Sequence, residues 1–510
     1  MLASILQNSF KIDFMLNLNM KHLLLFLLLI TLSTFSFSQT ITWEKAQRVR
    51  LEKMADSLSK NLKPWKVTSR IFKVEKYGAK GDSIQVNTKA IQSAIDICAQ
   101  EGGGVVLFSK GQYVTGTIEL KSGVMLEVAD KAKILGSTNL ADYPEKIEAF
   151  KSVMSENHQY RQSLIYAEKC INVGIRGKGE IYFRGEKENF PGKETIGEIE
   201  KRPFGIRMIE CRNVVLQNIF LHNSAAWMQS YLYCENLIFD GIKVINQANF
   251  NNDGLDPDGC TNVIVRNCYI NSEDDALCLK GASGKPTKNI LLENSTFLSS
   301  CNALKTGTDT QGDFYNIVAR NLKLGGIPDT QIAPKGHDAS TGITLATVDG
   351  GNVHDILIEN VTINKSRCPV FMRIGNRLRA MPNTPIKEVG YLKNIIIENV
   401  SGADNYKQGS LLSGIKNHPI EAIVIRNYHV KMVGGGDSTL INQEVPEKEG
   451  GYPDAQGFLK QGLPSYGFYV RYAKNINIIE AGITPEKPEA RPLIVVGKET
   501  NNVFFNDTKY

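Results

Sequence analysis

Val265-Arg266-Asn267-Cys268, Leu292-Glu293-Asn294-Ser295 and Ala319-Arg320-Asn321-Leu322 are three copies of one pattern: an apolar residue, a charged residue, then an asparagine that ends the run. Related copies precede them at Leu216-Gln217-Asn218-Ile219 and Phe239-Asp240-Gly241-Ile242. Others follow at Ile358-Glu359-Asn360-Val361, Ile397-Glu398-Asn399-Val400 and Ile425-Arg426-Asn427-Tyr428. Successive Asn or Gly positions are 23, 26, 27, 27, 39, 39 and 28 residues apart. A period in this range marks a repeat architecture. The segments between are short, β-branched and without helical spacing, so helical repeats fit poorly. The reading is an all-β chain of short strands coiled into stacked parallel sheets, a single-stranded parallel β-helix. Asparagine suits its turns because it tolerates left-handed backbone geometry, and stacked asparagines can bond one another along the axis. The two 39-residue intervals predict longer loops that wall a groove.

Working outward from the repeat, Asn87–Gln100 carries Ile91, Ala94, Ile95 and Cys98 on one helical face and stops at Gly102-Gly103-Gly104. This predicts an N-terminal helix that caps the first coil, where an open stack would leave a sheet edge. Residues 40–66 space Trp43, Ala46, Val49, Met54 and Leu58 helically, a second helix outside the coil. Further forward, Met20-Lys21-His22 leads into the apolar run Leu23–Leu32, and Ser36 and Ser38 precede Gln39. That is the layout of an export signal cleaved near Ser38-Gln39; the run is too short to span a bilayer, which takes about 20 residues. The expected organisation is a leader over 1–38, a helical segment over 39–70 and a β-helix catalytic domain over 71–510. The expected location is secreted or periplasmic, with no membrane span in the mature chain.

Composition agrees with a folded protein. The 510 residues carry 59 Lys+Arg against 53 Asp+Glu, a net charge of +6, with 42% hydrophobic and 22% charged residues. Such proportions exclude wholesale disorder. The small charge surplus, without a basic run, points to no nucleic-acid partner. Nine cysteines form no CxxC pair or Cys/His metal spacing, and most lie inside strand-like runs. They read as buried small hydrophobes, with one or two disulfides as the alternative.

Acid gathers in Asn251-Asn252-Asp253-Gly254-Leu255-Asp256-Pro257-Asp258-Gly259 and in Ser272-Glu273-Asp274-Asp275. Asp253 and Asp274 are 21 residues apart, close to one coil, so neighbouring rungs would bring Asp253, Asp274 and Asp275 to one face. Carboxylates crowded in one cleft repel, and one keeps its proton near neutrality, which supplies an acid and a base for splitting a glycosidic bond. A calcium turn over Asp253–Asp258 and a merely solvated acidic turn are the alternatives.

At these residues the sequence resembles glycoside hydrolase family 28, the polygalacturonases and their relatives, over roughly residues 70–440. The resemblance is carried by Val74-Glu75-Lys76-Tyr77-Gly78-Ala79-Lys80-Gly81-Asp82, Gly102-Gly103-Gly104, Asn223-Ser224-Ala225-Ala226-Trp227, Asn251-Asn252-Asp253-Gly254 and Asp274-Asp275. It implies a right-handed β-helix and an inverting hydrolase that needs no cofactor or metal. Asp274 would be the general acid, and Asp253 and Asp275 would hold and deprotonate the attacking water. The implied partner is a plant or algal polysaccharide or oligosaccharide, of pectin or rhamnogalacturonan type, acted on by a monomer.

Two motifs depart from the family pattern. Asn302 stands where the G-H-G histidine is expected, and Thr344 and Ala346 stand where R-I-K places its cations. Lys280, Lys305, Arg373 and Arg377 are the cations expected to replace them in binding substrate, with Asn251 and Asn302 as polar contacts and Trp227 as a stacking surface. A β-helix lyase using Ca²⁺ and a lysine base, and a carbohydrate-binding β-helix without catalysis, are the rival readings.

Overall fold

The computed structural model describes residues 43–147, 149–153, 161–192, 202–382, 384–385, 387–406, 408–460 and 462–510. The expected leader over 1–38 lies outside them. Two compact units divide the chain between Arg50 and Leu51. Of the first, the described residues 43–50 are helical. The second, residues 51–510, holds every described strand.

The β-helix expected from the repeat is present. One aliphatic column shows why these segments stack. Val173, Val214, Leu237, Val263, Ile290, Ile317, Ile356, Ile395, Ile423, Ile476 and Val503 are register partners on successive strands. All are buried. Each such side chain contributes about 1.5–3 kcal/mol when removed from water, and only stacking removes it. Strand pairing is parallel throughout, apart from the C-terminal hairpin and one isolated bridge.

The residue before each member of this column is an asparagine or its substitute. Asn172, Asn213, Asn236, Asn262, Asn289, Asn316, Asp355, Asn394, Asn475 and Asn502 all hold φ between 53° and 60°. From Asn172 to Asn316 the side-chain amides form a ladder, each donating to the carbonyl oxygen one rung back: Asn213 to Asn172 at 2.8 Å, Asn236 to Asn213 at 3.0 Å, Asn262 to Asn236 at 3.0 Å, Asn289 to Asn262 at 3.0 Å and Asn316 to Asn289 at 3.1 Å; further on, Ala422 stands at φ 54° with no side-chain amide. The asparagines quoted from the sequence form a second, shorter ladder: Asn321 donates to Asn294, Asn399 to Asn360 and Asn427 to Asn399.

A helix covers one end of the stack, and a short hairpin covers part of the other. The helix Thr88–Gln100 lays Ile91, Ala94, Ile95 and Cys98 against the first coil, in one apolar cluster with Phe72, Val106 and Leu120. At the other end Thr500–Phe505 turns through Asn506 and Asp507, at φ 43° and 66°, into the antiparallel Thr508–Lys509. Two positive φ values in a two-residue loop suit the tight hairpin turns that match strand twist. The helix expected over 40–66 covers 43–61. Behind it, Leu62, Trp65 and Val67 pack on the outward side chains Met125, Val215 and Ile238. Gly174 shares that outward column. A β-carbon there would meet Met125 Cε at 2.8 Å and Val215 O at 2.4 Å.

Two smaller sheets meet end to end on one face. Ile118–Glu119, Ser163–Glu168, Phe204–Ile209, Gln229–Leu232 and Asp256–Asp258 form the first. The second runs from Leu277–Leu279 through Asn302–Thr306, Ala339–Thr347 and Ser366–Ile374 to Ile494–Val496. The bridges Leu255–Leu277 and Asp258–Lys280 join them, with backbone bonds such as Cys278 N–H to Leu255 O and Lys280 N–H to Pro257 O. All nine cysteines are buried and unpaired, as small apolar residues would be.

Asn262→Ala loses two ladder bonds and places a β-branched-free but L-configured residue at φ 60° without amide compensation. It should cost about 2–4 kcal/mol in equilibrium denaturation, and Asn262→Gly, which is free of the left-handed strain, about 1–2 kcal/mol less.

Candidate active site

The acidic residues converge at the junction of the two sheets. Asn252 shapes the first acidic turn. Its Oδ1 accepts from the backbone N–H groups of Ala248 and Asn249, and its Nδ2 donates to Ser224 O and Ala226 O, both at 2.9 Å. Asn246 Nδ2 then fixes Asp253 O at 2.9 Å. Asn251, held at φ 52°, accepts from Arg202 Nη2 at 2.9 Å. One rung on, Ser272 Oγ and Ser299 Oγ donate to Asp274 O, and Gly254 N–H donates to Asp275 O at 2.9 Å. The Asp253 and Asp275 turns are thus tied by a rung bond, as the one-coil spacing requires.

Each carboxylate has a different environment. Asp275 accepts from Asn302 Nδ2 at 2.6 Å and from Lys305 Nζ at 2.8 Å. Burial favours its neutral form, but Lys305, Lys280 and Asn302 outweigh burial and hold it below the usual carboxylate range. Asp274 is the more exposed of the adjacent pair. Desolvation and the Asp275 charge push its carboxyl up. Two neighbouring carboxyls are therefore polarised in opposite directions, one charged and one inclined to keep its proton.

Asp253 shares Lys280 with Asp256. Lys280 Nζ is 3.0 Å from Asp253 Oδ2 and 3.7 Å from Asp256 Oδ2, and all three groups are buried. Two carboxylates around one ammonium leave one excess negative charge in a dry pocket. Burial pushes Asp253 upward and Asp256 to about 7. Although burial disfavours the ammonium, Asp253 and Asp256 hold Lys280 well above the ordinary lysine range, and Asp275 does the same for Lys305. Neither amine is poised to act as a base. Lys280 also sits between the Asp253 and Asp256 carboxylates that a calcium turn would use.

The two departures from the family pattern are linked to each other. Asn302 donates to Asp275, and its Oδ1 accepts from Thr341 Oγ1 at 2.7 Å; Thr341 Oγ1 is 2.6 Å from Thr344 Oγ1. Asn302 and Thr344 thus belong to one buried chain that ends on Asp275. Ala346 is fully buried and reaches no cleft.

The cations expected to bind substrate divide. Lys280 and Lys305 lie at the acidic cluster. Arg373 is the correction: it is 1% exposed and points its guanidinium at Tyr452 O (2.9 Å) and Lys448 O, so it cannot grip a ligand in the cleft. Those carbonyls belong to the long connection 435–467, which folds back over the outward face of the second sheet. Arg471, one column-mate of Arg373, donates to Val445 O and Pro446 O, and Asn376 bonds Glu449. Beneath, Val445, Phe458 and Leu459 pack on Phe371, Leu411 and Tyr469, the continuation of the Thr344 column. Arg377 pairs with Asp349 at 2.5 Å and Asp309 at 3.1 Å. Trp227 has its ring stacked by Phe204 at 5.1 Å, with Lys280 Nζ 4.1 Å from the centroid, so it braces Lys280.

Other residues at the site were not singled out from sequence. Lys335, on the loop 326–338 that lengthens the first 39-residue interval, pairs with buried Glu273 at 2.5 Å. Cys301 Sγ and the Asp274 and Asp275 carboxylate oxygens lie within 4.8 Å of one another, and Asp454 Oδ2 is 3.5 Å from the thiol. Only the loop insertion carried a signal in sequence; Glu273 is a third acid beside the Asp pair.

Lys280→Met would strand Asp253 and Asp256 as buried like charges. It should destabilise by about 3–5 kcal/mol at neutral pH. The deficit should shrink as pH falls, because protonation neutralises the stranded carboxyls. Denaturant titrations at several pH values check both.

Comparison with known proteins agrees with this arrangement. The profile of Glycosyl hydrolases family 28 matches residues 115–450. A probable polygalacturonase of Vitis vinifera is 26% identical over 382 residues, 70% of this chain and 73% of the relative. An exo-poly-alpha-D-galacturonosidase of Dickeya chrysanthemi is 24% identical over 390 residues, 66% of this chain; the alignment spans 62% of that relative, less than two thirds of its length. In fold, the Yersinia enterocolitica family 28 exopolygalacturonase superposes with a TM-score of 0.65 at 18% identity, covering 87% of this chain and 79% of that one. The Thermotoga maritima exopolygalacturonase gives 0.61 at 20% identity, covering 75% and 91%. These neighbours share the parallel β-helix architecture, and the family match extends over the acidic cluster at the sheet junction. The chain belongs to glycosyl hydrolases family 28.

Proposed function

We propose that the protein is an exported, inverting hydrolase of O-glycosidic bonds in polygalacturonate-type pectin, rhamnogalacturonan-type pectic glycans or their oligosaccharides. Residues 1–38 would be its leader, 39–70 a helical segment and 71–510 the catalytic β-helix. The observation that carries the reading is the different surroundings of two adjacent carboxyls: Asp275 accepts from Asn302 and Lys305, which favours its charged form, and the less buried Asp274 lies against that charge, which favours its protonated form. Enzymes that split glycosidic bonds need one carboxyl protonated and one ionised at the same pH, and environment is what separates them.

In this reading Asp274 passes its proton to the glycosidic oxygen as that bond breaks. Asp275 takes a proton from the water that attacks the anomeric carbon, and Asp253 orients that water. Lys305 and Asn302 keep Asp275 ionised. Lys280, charged and occupied by Asp253 and Asp256, supports the cluster rather than removing a proton, which weighs against a lyase.

Asp274→Asn should lower turnover of polygalacturonate at least about a hundredfold while leaving the unfolding midpoint near that of the parent protein. Near-normal activity would refute the acid assignment. The anomer of the first product, read by NMR in fresh reaction, should be inverted.

The pH dependence follows from the polarisation. Activity requires Asp275 ionised and Asp274 protonated, so the acid limb of kcat/KM belongs to Asp275 and the alkaline limb to Asp274. Lys305→Met removes what holds Asp275 low. The acid limb should therefore move to higher pH while the alkaline limb moves less.

A further inference from the structure

Within the connection 435–467, Val445, Phe458 and Leu459 are buried against the second sheet, whereas Tyr452 is exposed. Its backbone is locked, since Arg373 Nη1 donates to Tyr452 O at 2.9 Å and Arg373 is itself buried. Its side chain is nevertheless 57% exposed. The ring lies between two cations: Lys305 Nζ is 5.7 Å from its centroid, and Arg377 Cζ is 5.7 Å away. Lys305 is the residue bonded to Asp275 at 2.8 Å. An exposed aromatic residue thus lies one side chain away from the ionised carboxylate.

The surrounding wall makes this position significant. Thr344 and Ala346, on the rungs next to Lys305, are buried and too short to reach a ligand. The connection reaches this sheet through Lys448 and Tyr452, 75 and 79 residues along the chain from Arg373, and brings the Tyr452 ring near Lys305. Tyr452 also lies just beyond residue 450, where the family match ends. An exposed tyrosine with a cation near each side has the chemistry to take a pyranose. The C–H-rich face of the sugar covers the ring, and its oxygens meet the cations at the rim.

We propose that Tyr452 is the stacking platform for the sugar unit beside the scissile bond, with that sugar's carboxylate or hydroxyl oxygens directed toward Lys305 and Arg377. The inference rests on the reading of Asp274 and Asp275 as an acid–base pair working on a pectic glycan. Arg373, which holds the Tyr452 carbonyl, is then a positioning residue that never touches substrate.

The test uses the full chain carrying Asp274→Asn, so that ligand binds without being consumed, and trigalacturonic acid as the probe in calorimetry. Asp274→Asn should bind it. Adding Tyr452→Ala should weaken binding roughly tenfold, and adding Tyr452→Phe should leave it within about twofold. In the otherwise native enzyme, Tyr452→Ala should raise KM with little change in kcat, the mark of binding shared by ground and transition states. Tyr452→Leu, which keeps apolar volume without a ring face, guards against a collapsed connection; it should lose as much affinity as Tyr452→Ala. Equal affinity of the Tyr452→Ala and parent proteins, or full affinity of Tyr452→Leu, overturns the platform. Failure of Asp274→Asn itself to bind the trisaccharide overturns the functional reading beneath it, whatever Tyr452 does.

Discussion

A turn residue that must hold φ near +55° and still bond its copies above and below is the constraint on which this structure rests. Most L-residues pay to enter that region, whereas asparagine enters it cheaply and brings a donor and an acceptor pointing along the stack. Repeated from Asn172 to Asn316, it sets where each strand begins. The aliphatic residue that follows then enters the interior in register with its neighbours. A slip of one residue on any rung would reverse the inside and outside of that strand and break two amide bonds at once. Register is therefore over-determined, and the geometry of the acidic cluster inherits that determination.

The cluster sits where the stack is least regular. The two sheets meet there, and Asp274 and Asp275 lie in the bend between the strands Tyr269–Ser272 and Leu277–Leu279. Relief from the pleat is what lets adjacent Asp274 and Asp275 both contribute to one cluster instead of pointing to opposite faces. The cost is a concentration of buried carboxylates. Lys280 and Lys305 offset it from the same rungs, and Asn302, Thr341 and Thr344 carry the remaining hydrogen bonds. Replacing a titratable or cationic residue by Asn or Thr at these positions keeps the chain of bonds intact while removing charge. The substitutions at 302 and 344 thus read as one adjustment.

Much of this was legible in the residues alone. The repeat interval and its β-branched strands specify the coil, and the spacing of Asp253 from Asp274 specifies the convergence. The regular asparagine ladder was also visible, as Asn followed by Val, Leu or Ile at each strand start, but the ladder at the strand ends is what the quoted pattern captured. Other features were hidden for physical reasons. Arg373 looked like a ligand-binding arginine because its target, the carbonyls of Lys448 and Tyr452, lies more than seventy residues away and no local signal announces it. Tyr452, Arg202 and Lys335 come from irregular connections, whose paths are set by tertiary anchors and carry no periodicity. Asp256 was visible as an acid, but only the position of Lys280 shows that it competes with Asp253.

The C-terminal hairpin has a consequence for the life of the molecule among its own copies. A stack of parallel strands is a template at each end, and a bare last rung would invite the first rung of another molecule to add to it. Turning Thr508–Lys509 back along Phe504 and Phe505 uses part of that row of amides within the chain, with two left-handed residues making the reversal. An edge interrupted by such a reversal offers an incoming strand fewer free amides in line than a flat, uninterrupted one would.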